Sequence, residues 1–230
     1  MENIAQNIRS VRDTIADICL KRNRRPEDVH IVAVTKTKPF DFVENAIQAG
    51  IHIIGENRVQ EAAEKKDHVA SPASWHLIGH LQTNKVRKAL NLFDLIESVD
   101  SLHLAEKIDL ESKKLGKQTE ILVQVNTSGE QSKFGIEPSK AIELIRAISN
   151  QCEALRIRGL MTIGLFTDDE KKIRPCFIRL RELSEKVAAL NLPHVEMKHL
   201  SMGMSGDYQI AVEEGATLVR LGRVLFGERY

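Results

Sequence analysis

Eight short runs rich in β-branched and other apolar residues recur along the chain, and each is followed by a helical pattern or the start of one. The runs are 29–35 (VHIVAVT), 51–55 (IHIIG), 74–79 (SWHLIG), 94–99 (DLIESV), 119–126 (TEILVQVN), 155–163 (LRIRGLMTI), 197–201 (MKHLS) and 217–222 (TLVRLG), and they read as strands. Helices are predicted over roughly 40–49, 57–68, 83–91, 101–115, 138–150, 170–190 and 207–214. In one of them Ile173, Phe177, Leu180, Leu183, Val187 and Leu190 form a single apolar stripe. Pro175 is expected near that helix's start, where a missing N–H costs little. Strands apolar on both faces need cover on both faces, which makes the sheet parallel. Eight such units fit a closed (β/α)8 barrel of the TIM type better than an open doubly wound sheet. The open sheet usually has fewer strands and a glycine-rich first turn, and no GxGxxG follows the first strand. Ahead of the first strand, Ile4, Ile8, Val11, Ile15 and Ile18 share one face of an extra N-terminal helix. It spans too few heptads for a sustained coiled coil, so that face is expected to pack on the barrel. No linker or low-complexity stretch divides residues 1–230, which are expected to form one domain.

Composition removes several function classes. The net charge is +1, so bulk electrostatics supports no nucleic-acid or membrane-surface partner. Hydrophobic residues at 42% and charged residues at 28% suit a globular protein with a real core. Cys19, Cys152 and Cys176 are scattered and form no CxxC pair, which argues against a disulfide framework or a zinc site. His30, His52, His68, His103, His194 and His199 lack metal-ligand spacing, and no metal site is expected. The N-terminus carries acidic residues and no apolar core of a secretory signal. No apolar run reaches the ~18 residues of a membrane span. A cytoplasmic location is the expectation, and closure of the barrel argues for a monomer.

In such barrels chemistry sits on the loops after the strands. Those positions hold Lys36 and Lys38 after the first strand, and Glu56, Asn57 and Arg58 after the second. His80, Gln82 and Asn84 follow the third, and Asn126, Ser128 and Lys133 follow the fifth. Ser201 to Asp207 follow the seventh, and Arg220, Gly222 and Arg223 close the eighth. Small residues on the last two loops (Ser201, Gly203, Ser205, Gly206 and Gly222, beside Arg223) suit a phosphate, because backbone N–H groups and a helix start can approach it. A lysine at the end of the first strand points into an enclosed mouth, where burial lowers its pKa and a neutral amine can form a Schiff base. Lys36 and Lys38 share that parity, and spacing does not choose between them. A Schiff-base lysine beside phosphate loops admits a sugar-phosphate aldolase or a pyridoxal 5′-phosphate (PLP) site.

Seven blocks bring in a resemblance: AVTKTKP (33–39), GENRVQE (55–61), WHLIGHLQTNK (75–85), SGEQSKFG (128–135), GLMTI (159–163), HLSMGMSGDY (199–208) and VRLGRVLFGER (219–229). In this order, over essentially the full chain, they resemble the PLP-binding family known as YggS, PROSC or PLP homeostasis protein. That family is similar to the barrel domain of alanine racemase. The resemblance implies that PLP is the cofactor and that Lys36 holds it. It implies Ser201 and the backbone of Gly222 and Arg223 at the phosphate, Arg220 near the pyridine nitrogen, and Asn57 and His80 along the pocket. Lys133 is implied in moving PLP. Two positions depart from the pattern. Residues 164–170 (GLFTDDE) lack an expected proline, and Arg223 stands where a small hydroxyl residue is commoner.

The same resemblance implies a role in vitamin B6 homeostasis, as a carrier or buffer of PLP with no assigned catalytic residue and with PLP-dependent enzymes as recipients. A racemase of this type takes its second base, a tyrosine, from a separate domain. This chain ends at Tyr230, just past the eighth strand. Tyr208 is expected to pack at a helix start, and Tyr230 to lie at the terminal surface. The alternatives are a minimal PLP-dependent amino-acid racemase using Lys36 with His80, and an interaction protein whose helix at 1–23 binds a partner.

Overall fold

The computed structural model describes residues 4–130 and 133–227. Tyr230, expected at the terminal surface, lies outside the described residues. The strands are β1 (His30–Val34), β2 (Ile53–Glu56), β3 (Ser74–Leu77), β4 (Leu95–Val99), β5 (Thr119–Gln124), β6 (Leu155–Met161), β7 (Val195–Ser201) and β8 (Leu218–Leu221). Each pairs with the next in parallel, and β8 returns to β1 with Val32 opposite Arg220 and Ala33 opposite Leu221. The expected closed parallel barrel is what forms.

The helices are α1 (Ile4–Lys21), α2 (Phe40–Gln48), α3 (Val59–Lys66), α4 (Val86–Leu92), α5 (Leu102–Lys114), α6 (Pro138–Gln151), α7 (Glu170–Ala188), α8 (Tyr208–Glu213) and α9 (Arg223–Phe226). None of the described helices is long and apolar enough to cross a membrane. α9, the helix after β8, is a single turn. α1 makes good the missing cover by packing against α2, α8 and α9, with Ile4, Ile8, Val11 and Ile15 buried. Asn7 Nδ2 donates to Leu225 O at 3.1 Å, which ties α1 to α9, and Arg24, three residues beyond α1, donates through Nη2 to Ala216 O at 2.8 Å. Its apolar face is therefore occupied, which removes the basis for a free partner-binding helix.

Parity along the strands separates two cores. Ala33, Ile54, Leu77, Ile121 and Leu221 face outward into the large cluster shared with the helices. Val32, Ile78, Leu95, Leu122, Met161 and Leu218 fill the barrel interior, with Val34 and Ile53 against them. Trp75 and Tyr208 belong to the outer core, as expected of packing residues.

Several boundaries differ from those predicted. Ile51 is buried but precedes β2, so the apolar run marked burial rather than pairing. Residues 83–85 make one 3₁₀ turn before α4 begins at Val86. Pro175 lies at the sixth residue of α7, beyond the first turn, where its missing N–H does remove an intrahelical bond.

Candidate functional site

β1 stops at Val34, and the next three residues form a tight turn. Lys38 N–H donates to Thr35 O at 3.0 Å. Thr37 takes φ 64°, a region that β-branched residues rarely enter. Three carboxylate and ammonium groups surround this turn. Thr35 Oγ1 donates to Glu56 Oε1 at 2.5 Å, and Thr37 N–H donates to Glu61 Oε1 at 2.6 Å. Lys65 Nζ donates to Thr35 O (2.6 Å), Glu56 Oε1 (2.6 Å) and Glu61 Oε1 (2.7 Å). Burial pushes the Glu56 carboxyl above its ordinary pKa, opposed by its bonds to Lys65 and Thr35.

The two lysines that the sequence leaves equivalent are separated here. Lys38 Nζ donates to Phe226 O at 3.2 Å and lies 5.3 Å from the centre of the Phe42 ring, so it serves the junction with α9 and α2. Lys36 is half-buried and opens the turn that follows β1, at the C-terminal end of the barrel.

On the adjacent strand, β8 runs into α9 through Gly222. The N–H groups of Gly222 and Val224 both donate to Ser205 Oγ, at 3.3 Å each. Two backbone donors thus converge on one oxygen at a helix start, the arrangement that an anionic oxygen such as phosphate also satisfies. Gly203 permits the facing loop: its φ is 89°, and a Cβ there would lie 2.5 Å from Ala211 Cβ. Arg223 is exposed as the first residue of α9, with its backbone beside the same point.

Ser201 and Arg220 occupy a different level. Arg220 is 4% exposed, inside the barrel, and donates through Nη1 to Ser201 Oγ (2.7 Å) and through Nη2 to Thr162 O (2.7 Å). Ser201 Oγ donates to Glu97 Oε2 at 2.5 Å, and His76 Nδ1 lies 2.7 Å from Glu97 Oε1. The Ser201 hydroxyl is therefore spent on this internal chain, and the hydroxyl at the β8–α9 turn is that of Ser205. Burial alone would raise the Glu97 pKa; bonding to His76 with the charge of Arg220 and the Ser201 hydroxyl holds it below its ordinary value. Burial lowers the Arg220 pKa, with Glu97 and Asp207 opposing that shift.

Asn57 and His80 line the mouth from β2 and β3. Asn57 is half-buried, and its Oδ1 has no hydrogen-bond partner among the described residues. Gly79 makes this approach feasible, because a Cβ there would sit 2.3 Å from Asn57 O. His80 is exposed and stacks on Phe134 of the loop after β5, centroids 4.3 Å apart. A cavity of about 530 Å³ opens between Asn57, Arg58, His80, Gln82 and Lys85. Another of about 560 Å³ lies between α1 and the start of β1 and β2, away from these groups. Lys133 pairs with Glu130, donates to Gly164 O at 2.8 Å and lies 4.6 Å from the centre of the Phe166 ring. Among the described residues no group of three or more His, Cys, Asp or Glu converges as a metal site.

Sequence reading missed Glu97, His76, Lys65 and Glu61. Glu97 had left a signal, a carboxylate in the middle of an otherwise apolar strand, which burial forbids without partners. Lys65 had left none, because it sits in a KK pair that reads as a solvated helix face.

The family model described as the N-terminal domain of alanine racemase matches residues 1–230. A pyridoxal phosphate homeostasis protein of Homo sapiens is 43% identical over 223 residues, covering 90% of this chain and 80% of its own. The structure of PipY of Synechococcus elongatus PCC7942 with PLP bound superposes with a TM-score of 0.84 at 34% identity, over 97% of this chain and 100% of that one. An alanine racemase of Clostridium difficile 630 gives a TM-score of 0.78 at 17% identity, over 100% of this chain and 56% of that one; this likeness is one of fold.

Proposed function

We propose that this chain, which belongs to the pyridoxal phosphate homeostasis protein family and to the family of alanine racemase N-terminal domains, binds PLP at its barrel mouth and acts in PLP homeostasis. Its role is to carry or buffer the cofactor rather than to sustain turnover. The observation that carries this reading is a pairing of adjacent strands. Lys36 lies in the turn that ends β1, and on β8, the strand paired with β1, the Gly222 and Val224 N–H groups converge on one oxygen.

The residues present fit the group. The Ser205 hydroxyl already stands where a phosphate oxygen would accept, and the Asn57 Oδ1 is a buried acceptor in want of a donor. When bound, PLP supplies a reactive aldehyde and an electron-accepting ring. The Lys36 amine would hold the aldehyde. The backbone of Gly222, Arg223 and Val224 would hold the phosphate, with the Arg223 side chain at its open side. Arg220 would face the ring nitrogen, with Ser201 Oγ and the Thr162 carbonyl fixing its guanidinium, and Asn57 and His80 would bound the pocket. A cation beside that nitrogen opposes its protonation, which weakens the ring as an electron sink.

Support for a carrier comes from the groups that turnover would need. Tyr208, the one tyrosine among the described residues, is buried at the start of α8 and cannot act as a second base at the mouth. His80 is engaged with Phe134 at the rim. The three cysteines are unpaired, as suits a reducing cytoplasm, and a closed barrel leaves no edge strand to pair with a second copy.

Incubation with PLP, borohydride reduction and peptide mass spectrometry test the proposal. A visible absorption band and an adduct on Lys36 are expected, both lost in Lys36→Ala. A colourless protein with no adduct at Lys36 overturns it. Sustained racemisation of an amino acid that depends on Lys36 would replace the carrier with an enzyme.

A further inference from the structure

We propose that Lys65 is the positioning residue for Lys36, holding the turn that aims the Lys36 amine into the mouth through Thr35 on one side and Thr37 on the other. The inference rests on the reading of Lys36 as the PLP lysine. Lys65 lies in the last turn of α3, and its side chain is 8% exposed. All three ammonium protons are used, on three acceptors at 2.6 to 2.7 Å. One acceptor is the carbonyl of Thr35. Another is Glu61 Oε1, the atom that also accepts the Thr37 N–H. The third, Glu56 Oε1, also takes the Thr35 hydroxyl. Both neighbours of Lys36 are therefore fastened to one ammonium group.

The conformation being held is costly. Thr37 at φ 64° is β-branched in the left-handed region, which persists only where surroundings over-determine it. Without the clamp, Thr37 relaxes toward extended backbone, the peptide after Lys36 rotates and the amine leaves its line of approach. A buried ion pair that served stability alone would have no need to reach Thr35 O directly and the Thr37 N–H through Glu61. Lys65 could have been joined to Glu56 only. The structure instead sends one of its three bonds straight to Thr35 O and a second to Glu61 Oε1, which accepts the Thr37 N–H.

The test uses the full chain carrying Lys65→Met, Glu61→Ala, and each of these combined with Thr37→Asn. Asparagine tolerates the left-handed region without adding the freedom of glycine. Glu61 is partly exposed, so Glu61→Ala decides the matter if Lys65→Met does not fold. Two quantities are read: amide hydrogen exchange at Thr37 in protein without PLP, and PLP affinity by visible titration with adduct yield at Lys36. Either single variant is expected to speed Thr37 exchange and weaken PLP binding by about tenfold, the scale set by one strained residue. Thr37→Asn in the same chain is expected to restore part of the affinity. Wild-type exchange and affinity in Glu61→Ala overturn the proposal, as does a loss of affinity that Thr37→Asn leaves unchanged. Failure of the wild-type protein to label Lys36 is the separate result that removes the PLP reading itself.

Discussion

His199 on β7 is half-buried, and its Nδ1 has no hydrogen-bond partner among the described residues. Burial, with help from the Lys198 charge, pushes its pKa down to about 4 from an ordinary 6.5. The unfolded chain therefore binds a proton at this residue in a pH range where the native state does not. Stability falls as pH drops from about 6.5 toward 4, and the loss is complete below the native value. At pH 5 the shift corresponds to about 2 kcal/mol relative to pH 7, less whatever solvent screens. Urea unfolding at the two pH values, in the wild type and in His199→Leu, measures it. The variant is expected to lose less stability on acidification than the wild type does. An equal loss in both would assign the acid sensitivity to other groups. Residues also carry the choice between Lys36 and Lys38. Parity gave both the same address; the resemblance implies Lys36, and the structure adds a bond from Lys38 to Phe226 O, 188 residues away in sequence.

At the scale of elements, the turn between β8 and α9 makes its own case. Ser205 supplies to Gly222 and Val224 the acceptor that a helix cap supplies, although it comes from the preceding loop. Removing such a hydroxyl costs about 0.5–2 kcal/mol. Under the PLP reading, the phosphate takes over that acceptor, so Ser205→Ala is expected to destabilise the protein alone and to lose that deficit when PLP is present. Thermal unfolding with and without PLP should show a larger ligand-induced rise in Tm for the variant. The same rise in both proteins would place the phosphate elsewhere. Strands and long helices were legible because period and apolar content reflect which face is covered. β1, β4 and α7 came within two residues of their predicted ends. The one-turn α9 was not legible, since four residues carry too little period to read. Position 175 was misjudged for a related reason: the apolar stripe located the helix but not which of its turns held the proline.

Across the whole molecule, the barrel interior is bound by charge as well as by apolar packing. His76 on β3, Glu97 on β4, Ser201 on β7 and Arg220 on β8 form one chain, and Arg220 reaches the backbone just past β6 at Thr162. Four strands and the end of a fifth are tied at one level. Their sequence separations, 104 residues between Glu97 and Ser201, explain why no local pattern announced the chain. Ser201 and Arg220 lie in blocks that the resemblance marks, whereas Glu97 lies outside all seven. Energetically, the arrangement is unforgiving of half-removal. Glu97 and Arg220 are opposite buried charges bridged by the Ser201 hydroxyl rather than in direct contact. Taking away one partner of a directly paired buried couple costs about 3–5 kcal/mol, because the other charge stays buried, whereas replacing both with apolar groups can be close to neutral. Glu97→Leu and Arg220→Met are each expected to destabilise on that scale, and the double variant by clearly less than their sum. A double-mutant cycle from urea unfolding measures the coupling. Additive losses would mean that Glu97 and Arg220 do not act as a unit, and that Ser201 and the Thr162 carbonyl fix the guanidinium without help from Glu97.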